Sequence, residues 1–257
     1  MSQISQRLIF GEKDVLLRDS NGRQKKTFQK SDFLTSGGRY RVTESLLGKI
    51  SGKLLIEINV PIEVEVTFEA QINANVKGAI ANANFPGATA NANVKGTTAN
   101  ANFPGATANS NFPGAIANAK VSGATANSNE KGAIANANDQ WAIANANVDR
   151  AIANANNQWS IANANESGAI ANANDQWAIA NANVKGATAN ANVKGAIANA
   201  NFQGATANSN EKGAIANAND QWAIANANEP GAIAKANVDG AEAYAKVQGA
   251  SIGYEID

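Results

Sequence analysis

The side chains that recur here at fixed spacing and carry hydrogen-bonding chemistry are amides. Asn82 and Asn84 open a series that returns every nine residues, through Asn145, Asn154, Asn163 and Asn172, to Asn226 and Asn228. An amide both donates and accepts, so a column of amides can bond along itself. Amide ladders between neighbouring strands are the expected use, as in stacked β assemblies. A lattice-matching outer surface is the functional alternative. Two residues before the first Asn of each unit stands Ile or Thr, as at Ile143, Ile152, Ile161 and Ile170. An exposed semi-apolar stripe of this kind marks a partner. The simplest partner is another copy of the chain. Ice or a crystalline polysaccharide is the alternative, although the mixture of Ile with Thr weakens a purely Thr-based ice-binding reading.

Other reactive groups are sparse. There is no His and no Cys. Thiol chemistry, soft metal sites and the usual general base are therefore missing, and no cofactor or catalytic residue is expected. Asp139, Asp149 and Asp175 form no paired constellation and read as turn formers. Calcium-binding nonapeptides need Gly-Gly-x-Gly-x-Asp, and Gly-Ala-Ile-Ala-Asn-Ala supplies no carboxylate there, so a repeat-wide calcium site is rejected. Trp141, Trp159, Trp177 and Trp222 could stack sugars, but Trp at a corner more often covers a sheet edge. Asp19-Ser20-Asn21-Gly22 is a hairpin signal, and Gln24-Lys25-Lys26 reads as a solvated strand end.

The element that positions the amides is the repeat itself. From Gly78 the unit Gly-Ala-Ile/Thr-Ala-Asn-Ala-Asn-x-x runs twenty times to Asp257 without slippage, after a degenerate unit at 69–77. A strict short period predicts units that pack on their neighbours, as in a solenoid. Helix is disfavoured although Ala is its best former. Gly recurs at nearly every ninth residue, with Pro86, Pro104, Pro113 and Pro230 just before such glycines, and each Pro costs a helix about 3 kcal/mol. Disorder is disfavoured because a linker needs composition, not register.

Strand is supported by alternation. From Ile56 to Val76 every even-numbered residue is Ile, Val, Phe or Ala, which is period two. Pro61 within that run predicts a bend or an edge. Carried into the repeats, the alternation turns positions 2, 4, 6 and 8 inward. Internal substitution supports the first three: across nineteen units, positions 2, 4 and 6 are Ala at 52 of 57 places, and Thr97, Ser110, Ser128, Ser160 and Ser209 are the exceptions. Positions 3, 5 and 7 accept Lys120, Lys235, Glu242, Tyr244 and Lys246. The Ala face is therefore closed and the Ile/Thr-Asn-Asn face open. On this basis Ala153→Leu is expected to be severe and Asn154→Lys nearly neutral.

Corners fall at positions 8, 9, 1 and 2. Phe85-Pro86-Gly87-Ala88 has a type II signature, which suits a corner between opposed sheets better than a tight hairpin. Asp or Asn at position 8 where Trp replaces Gly favours a type I turn, sparing Trp a positive φ. The predicted fold is an all-β nonapeptide-repeat β-solenoid. It has two strands per 18-residue coil, about ten coils, a thin Ala-lined core, and a small β-rich N-terminal cap at 1–68 followed by the array at 69–257. The eighteen-residue spacing of Trp141, Trp159 and Trp177 then stacks them on one edge. An antiparallel meander or cross-β stack is the alternative.

The chain is expected to be a non-enzymatic structural protein that self-assembles into filaments or a fibrous layer. An ice- or polysaccharide-binding solenoid and a rigid spacer of a fibre or adhesin are the rivals. Ile252, Tyr254 and Ile256 in the divergent last unit are the predicted end contact. With 21 basic and 21 acidic side chains, no nucleic-acid footprint is expected. No apolar run is long enough for a transmembrane helix, and seven-residue strands fall short of the roughly 9–11 of a membrane β-barrel. No basic stretch followed by an apolar core opens the chain, so residence inside the cell, or export without a visible signal, is expected.

Overall fold

The computed structural model describes residues 4–47 and 53–254. The N-terminal β-rich region holds β1 (Ile4–Phe10), β2 (Asp14–Asp19), β3 (Gln24–Gln29), a 3-10 turn at Lys30–Phe33, β4 (Tyr40–Val42), a one-turn helix at Glu44–Leu47, β5 (Lys53–Ile58), β6 (Glu63–Val66) and β7 (Ala70–Ala74). From β8 (Ile80–Ala83) onward, every nonapeptide contributes one four-residue strand at positions 3–6. The last two are β26 (Glu242–Ala245) and β27 (Ser251–Tyr254). No helix among the described residues is long and apolar enough to cross a membrane.

Alternate strands go to opposite sheets. The odd-numbered strands from β5 to β27 form one parallel sheet, extended by β1, β2 and β3 to fifteen strands; the even-numbered strands from β4 to β26 form a twelve-stranded parallel sheet. Each repeat residue pairs with the residue eighteen positions on: Asn100 lies beside Asn118, and Asn145 beside Asn163. This is a β-solenoid of about eleven turns. The parallel register excludes the antiparallel meander, since a meander would pair consecutive units.

The reason lies in the corners. In every unit the N–H of position 2 donates to the carbonyl of position 8, as from Ala88 to Phe85 (3.1 Å) and from Ala142 to Asp139 (3.2 Å). The residue at position 1 has positive φ throughout: Gly87 at 72°, Gly105 at 72°, Gly123 at 71°. The Pro-Gly corners thus carry the left-handed third residue that a type II turn requires. The side-chain alternation stops at position 6, where the chain turns, so position 8 does not face inward. Phe85, Phe103 and Phe112 are about 40% exposed (40%, 43% and 42%). The fully buried set is positions 2, 4 and 6; at position 8 most of the Val residues are half-buried, and Val76 packs against the core from the unit before the repeats.

The core has two textures. In the repeats its lining is Ala at essentially zero exposure, with Ser110, Ser128 and Ser209 turning their hydroxyls to the backbone carbonyls of Asn127, Asn145 and Asn226. Toward the N-terminus the same columns hold Ile72, Val66, Val64, Ile58 and Ile56, then Leu8 and Phe10. The sandwich is therefore thin along the array and fills with bulky residues at its base. There Phe33 packs edge-on against Phe10 and Phe28, both at 5.3 Å between ring centres, and Tyr40 meets Phe10 at 6.0 Å. The predicted hairpin joins β2 to β3, with Gly22 at φ 79° and the Asp19 carboxylate accepting from the N–H of Asn21 and Arg23. Pro61 sits in the corner between β5 and β6, where the sequence placed a bend.

Candidate functional site

Each sheet carries two asparagine columns on its outer face. Asn145 donates to the side-chain oxygen of Asn127 and accepts from Asn163 (2.9 Å each). On the opposite sheet Asn154 donates to Asn136 (2.8 Å) and accepts from Asn172 (2.9 Å). The first column runs from Asn217 down to Asn73, the second from Asn226 down to Asn82. The expected amide ladders are present.

Their surroundings differ from the open face expected of them. Asn82, Asn91, Asn100 and Asn226 are buried, and most other ladder amides are half-buried by their neighbours above and below. A residue such as Asn154 holds two side-chain hydrogen bonds, so its replacement is not neutral. Lys120 does occupy a ladder position, but the column it interrupts resumes only with the pair Asn156–Asn138. Tolerance of Lys there records a lost ladder step, not a free surface.

All the amides point one way. Each Nδ2 donates toward the N-terminal end, so a column has a donor end at the base and an acceptor end at the top. At the base of the twelve-stranded sheet two carboxylates receive the donors: Asn82 bonds Glu63 (2.7 Å) and Asn84 bonds Glu65 (2.9 Å). Glu65 is buried and also paired with Arg41. At the top, Lys235 lies beside Asn217 in register, and Lys246 follows Asn228 by eighteen residues. Acid at the donor end and base at the acceptor end match the sign that aligned dipoles require, as at helix termini.

The Ile/Thr stripe is divided between the two faces. Ile143 pairs with Ile161 on the fifteen-stranded sheet, and Ile152 with Ile170 on the other. The four do not form a single patch. Most are half-buried by their column neighbours.

The tryptophans stack as the spacing predicts. Trp141 and Trp159 lie 5.7 Å apart between ring centres at 8°, and Trp159 and Trp177 lie 5.8 Å apart at 9°. Their backbone contradicts the sequence reading. Trp141, Trp159, Trp177 and Trp222 all have φ between 58° and 61°. The coil register imposes the same left-handed corner on every unit, and this overrides the local preference for type I. The Asp or Asn at position 8 accepts from the next N–H instead, as from Gln140 to Asp139 (2.7 Å) and from Gln158 to Asn157 (2.8 Å). The left-handed region costs a side-chain-bearing residue about 1–2 kcal/mol. Both faces of Trp159 are covered by other indoles, so it offers no face to a sugar.

A pair of substitutions follows. Trp222, on the opposite edge and outside the stack, is expected to gain about 1 kcal/mol as Trp222→Gly by losing backbone strain. Trp159→Gly relieves the same strain but loses two stacking contacts of about 0.5–1.5 kcal/mol each, and is expected to be destabilised. Denaturant midpoints of the two variants should move in opposite directions. A shift in the same direction would remove the stacking argument.

The predicted end contact is partly described. Ile252 stands in register with Ala234, a core position, yet is 44% exposed. The twelve-stranded sheet ends half a coil earlier, at β26, so nothing among the described residues covers it. Ala245 on β26 is likewise exposed. Tyr244, on the outer face, is exposed and donates to Glu242. Tyr254 closes β27, and Ile256 lies outside the described residues. The sequence singled out Ile252 but offered no reason to see it as a core residue left open.

The architecture defines an Ala-cored nonapeptide β-solenoid with amide ladders. Comparison with known protein families, curated proteins and solved structures returned no match to this chain.

Proposed function

We propose that this chain is a non-enzymatic structural rod that joins other copies of itself through its C-terminal end. One observation carries the reading: among the described residues, a core column that is closed at the base ends at the top in Ile252, which is 44% exposed. At the base, β1, β2 and β3 continue the sheet and Phe33 is buried against Phe10 and Phe28. Among the described residues β26 and β27 pair on one side only, as β3 and β4 do at the base, but the core face of β27 has no described residue over it. Uncovered strand edges with apolar side chains recruit further strands, and a second chain is the simplest source of them. The ladders support a structural role, since they commit amides to internal bonding along the rod.

Sedimentation velocity tests this. Ile252→Lys combined with Tyr244→Lys is expected to hold the protein at the monomer at concentrations where the wild type associates, with an unchanged circular dichroism spectrum. Ile143→Lys with Ile161→Lys, on a repeat face, is expected to leave association intact. If the face variant alone abolishes association, the contact is lateral and the end is not the joining surface. A wild type that stays monomeric but shapes ice or pellets with insoluble glycan would instead favour the lattice-binding alternative.

A further inference from the structure

Among the described residues, five side-chain-bearing residues occupy the left-handed corner position that the other units give to Gly. They are Trp141, Arg150, Trp159, Trp177 and Trp222, with φ between 58° and 61°. Four of them meet a neighbour. The first three tryptophans stack on one another, and the Arg150 guanidinium stands 4.0 Å from Asp149. Trp222 does not. The residues eighteen before and eighteen after it are Gly204 and Gly240, so its column supplies no second ring. No ring stacks on its indole among the described residues, and it is 61% exposed. Unrelieved backbone strain of this kind clusters at sites that hold ligands.

The surroundings of Trp222 combine two chemistries. One is apolar. Phe202 and Val238 stand at position 8 of the coils below and above, 45% and 37% exposed. The strand register keeps both in one column with Asp220. Three successive coils at about 4.8 Å make this strip about 10 Å long. The other chemistry is polar. Asp220 accepts from the N–H of Gln221 (2.6 Å) through one carboxylate oxygen, and its second oxygen has no donor among the described residues. The Gln221 side chain lies against Gly240, with Nε2 3.8 Å from where a Cβ would stand, and the stem of Lys185 lies against Gly204, with Cε at 3.9 Å. A carboxamide and an ammonium-bearing stem thus stand in the column places where Trp159 has its stacking partners.

We infer that Trp222 is the platform of a binding site for a neutral glycan built of equatorially linked pyranose rings. The face of an indole is electronegative, and the C–H face of such a ring supplies the matching positive surface. Its rim hydroxyls both donate and accept, which suits Asp220, Gln221 and Lys185 together. A purely apolar ligand would take these three groups out of water without bonding them. A phosphate-bearing ligand would be set against the carboxylates of Asp220 and, in the next corner, Asp239. The length of the strip fits a short oligosaccharide better than a single ring. The site lies on a lateral edge of the rod, so it needs neither the C-terminal end nor a second copy.

Trp222→Gly is the test variant, because relief of the strained φ raises its expected stability while the platform is lost. Cellohexaose, chitohexaose and xylohexaose, all equatorially linked, are titrated into the full chain. The readout is the four indole N–H signals in a nitrogen-edited NMR spectrum. At least one oligosaccharide is expected to bind in the millimolar range and to move one indole signal, with the Trp159 signal unmoved. The moving signal should be the one missing from Trp222→Gly and from Trp222→Tyr. Binding should weaken about tenfold in Trp222→Gly, comparable with loss of an aromatic platform under a stacked ring, while the denaturant midpoint rises. Trp222→Tyr keeps a ring and should bind more tightly than the Gly variant. If Trp222→Gly fails to fold, the Tyr variant still assigns the moving signal. Binding that survives Trp222→Gly overturns the assignment. So does binding lost in Trp141→Gly, or in Ile143→Lys with Ile161→Lys, but kept in the Trp222 variants. Failure of all three oligosaccharides to move any indole signal overturns it as well.

Discussion

Ala153→Leu is expected to destabilise the array severely, at or above the about 1–3 kcal/mol usual for overpacking. Ala153 has no exposed surface, and it lies in register between Ala135 and Ala171 in the core column. A larger side chain has no void to enter, and the strands above and below are fixed by an eighteen-residue register that cannot shift locally. The adjacent Asn154→Ala provides the comparison. It removes two ladder bonds at about 1 kcal/mol each without forcing the sheets apart. Denaturant melts should show Ala153→Leu as the less stable of the two, and both below wild type. An Ala153→Leu protein as stable as wild type would mean that the core is not close-packed.

Deletion of residues 1–68 is expected to cause rapid aggregation that salt does not suppress. The deletion strips β5 from β7 and β6 from β8, exposing two parallel edges together with Ile72 and the first Ala layer. Backbone edges of this kind join without help from charge. Turbidity and sedimentation at low and high salt should separate the truncated from the full chain. Soluble short rods after truncation would show that the first 68 residues are needed for association and do not merely cover an end.

Most of this architecture was legible because the repeats record their own tolerance. The exclusion of anything larger than Thr from positions 2, 4 and 6 located the core, and the nine-residue period with eighteen-residue Trp spacing located the coil. Two features were not legible, for a shared reason. Phe85 at position 8 looks like an inward residue when alternation is extrapolated, and Trp159 looks like a residue that avoids positive φ. Both judgements use local chemistry, and both are overruled by the corner. The ladder partners of successive coils fix where each strand starts, so the four corner residues must follow one path whatever their identity. The open face assigned to Asn154 failed differently: a side chain can point outward and still be enclosed by its own copies in the coils above and below. Ile252 became informative only by its register with Ala234.

Electron microscopy of the wild-type protein over a concentration series decides whether the rods join end to end. Single short rods of about 50 Å are expected at low concentration. These should give way at higher concentration to unbranched strings one rod wide, whose lengths are multiples of that unit. Isolated rods at every concentration, or sheets formed by side-to-side packing of the repeat faces, would contradict it.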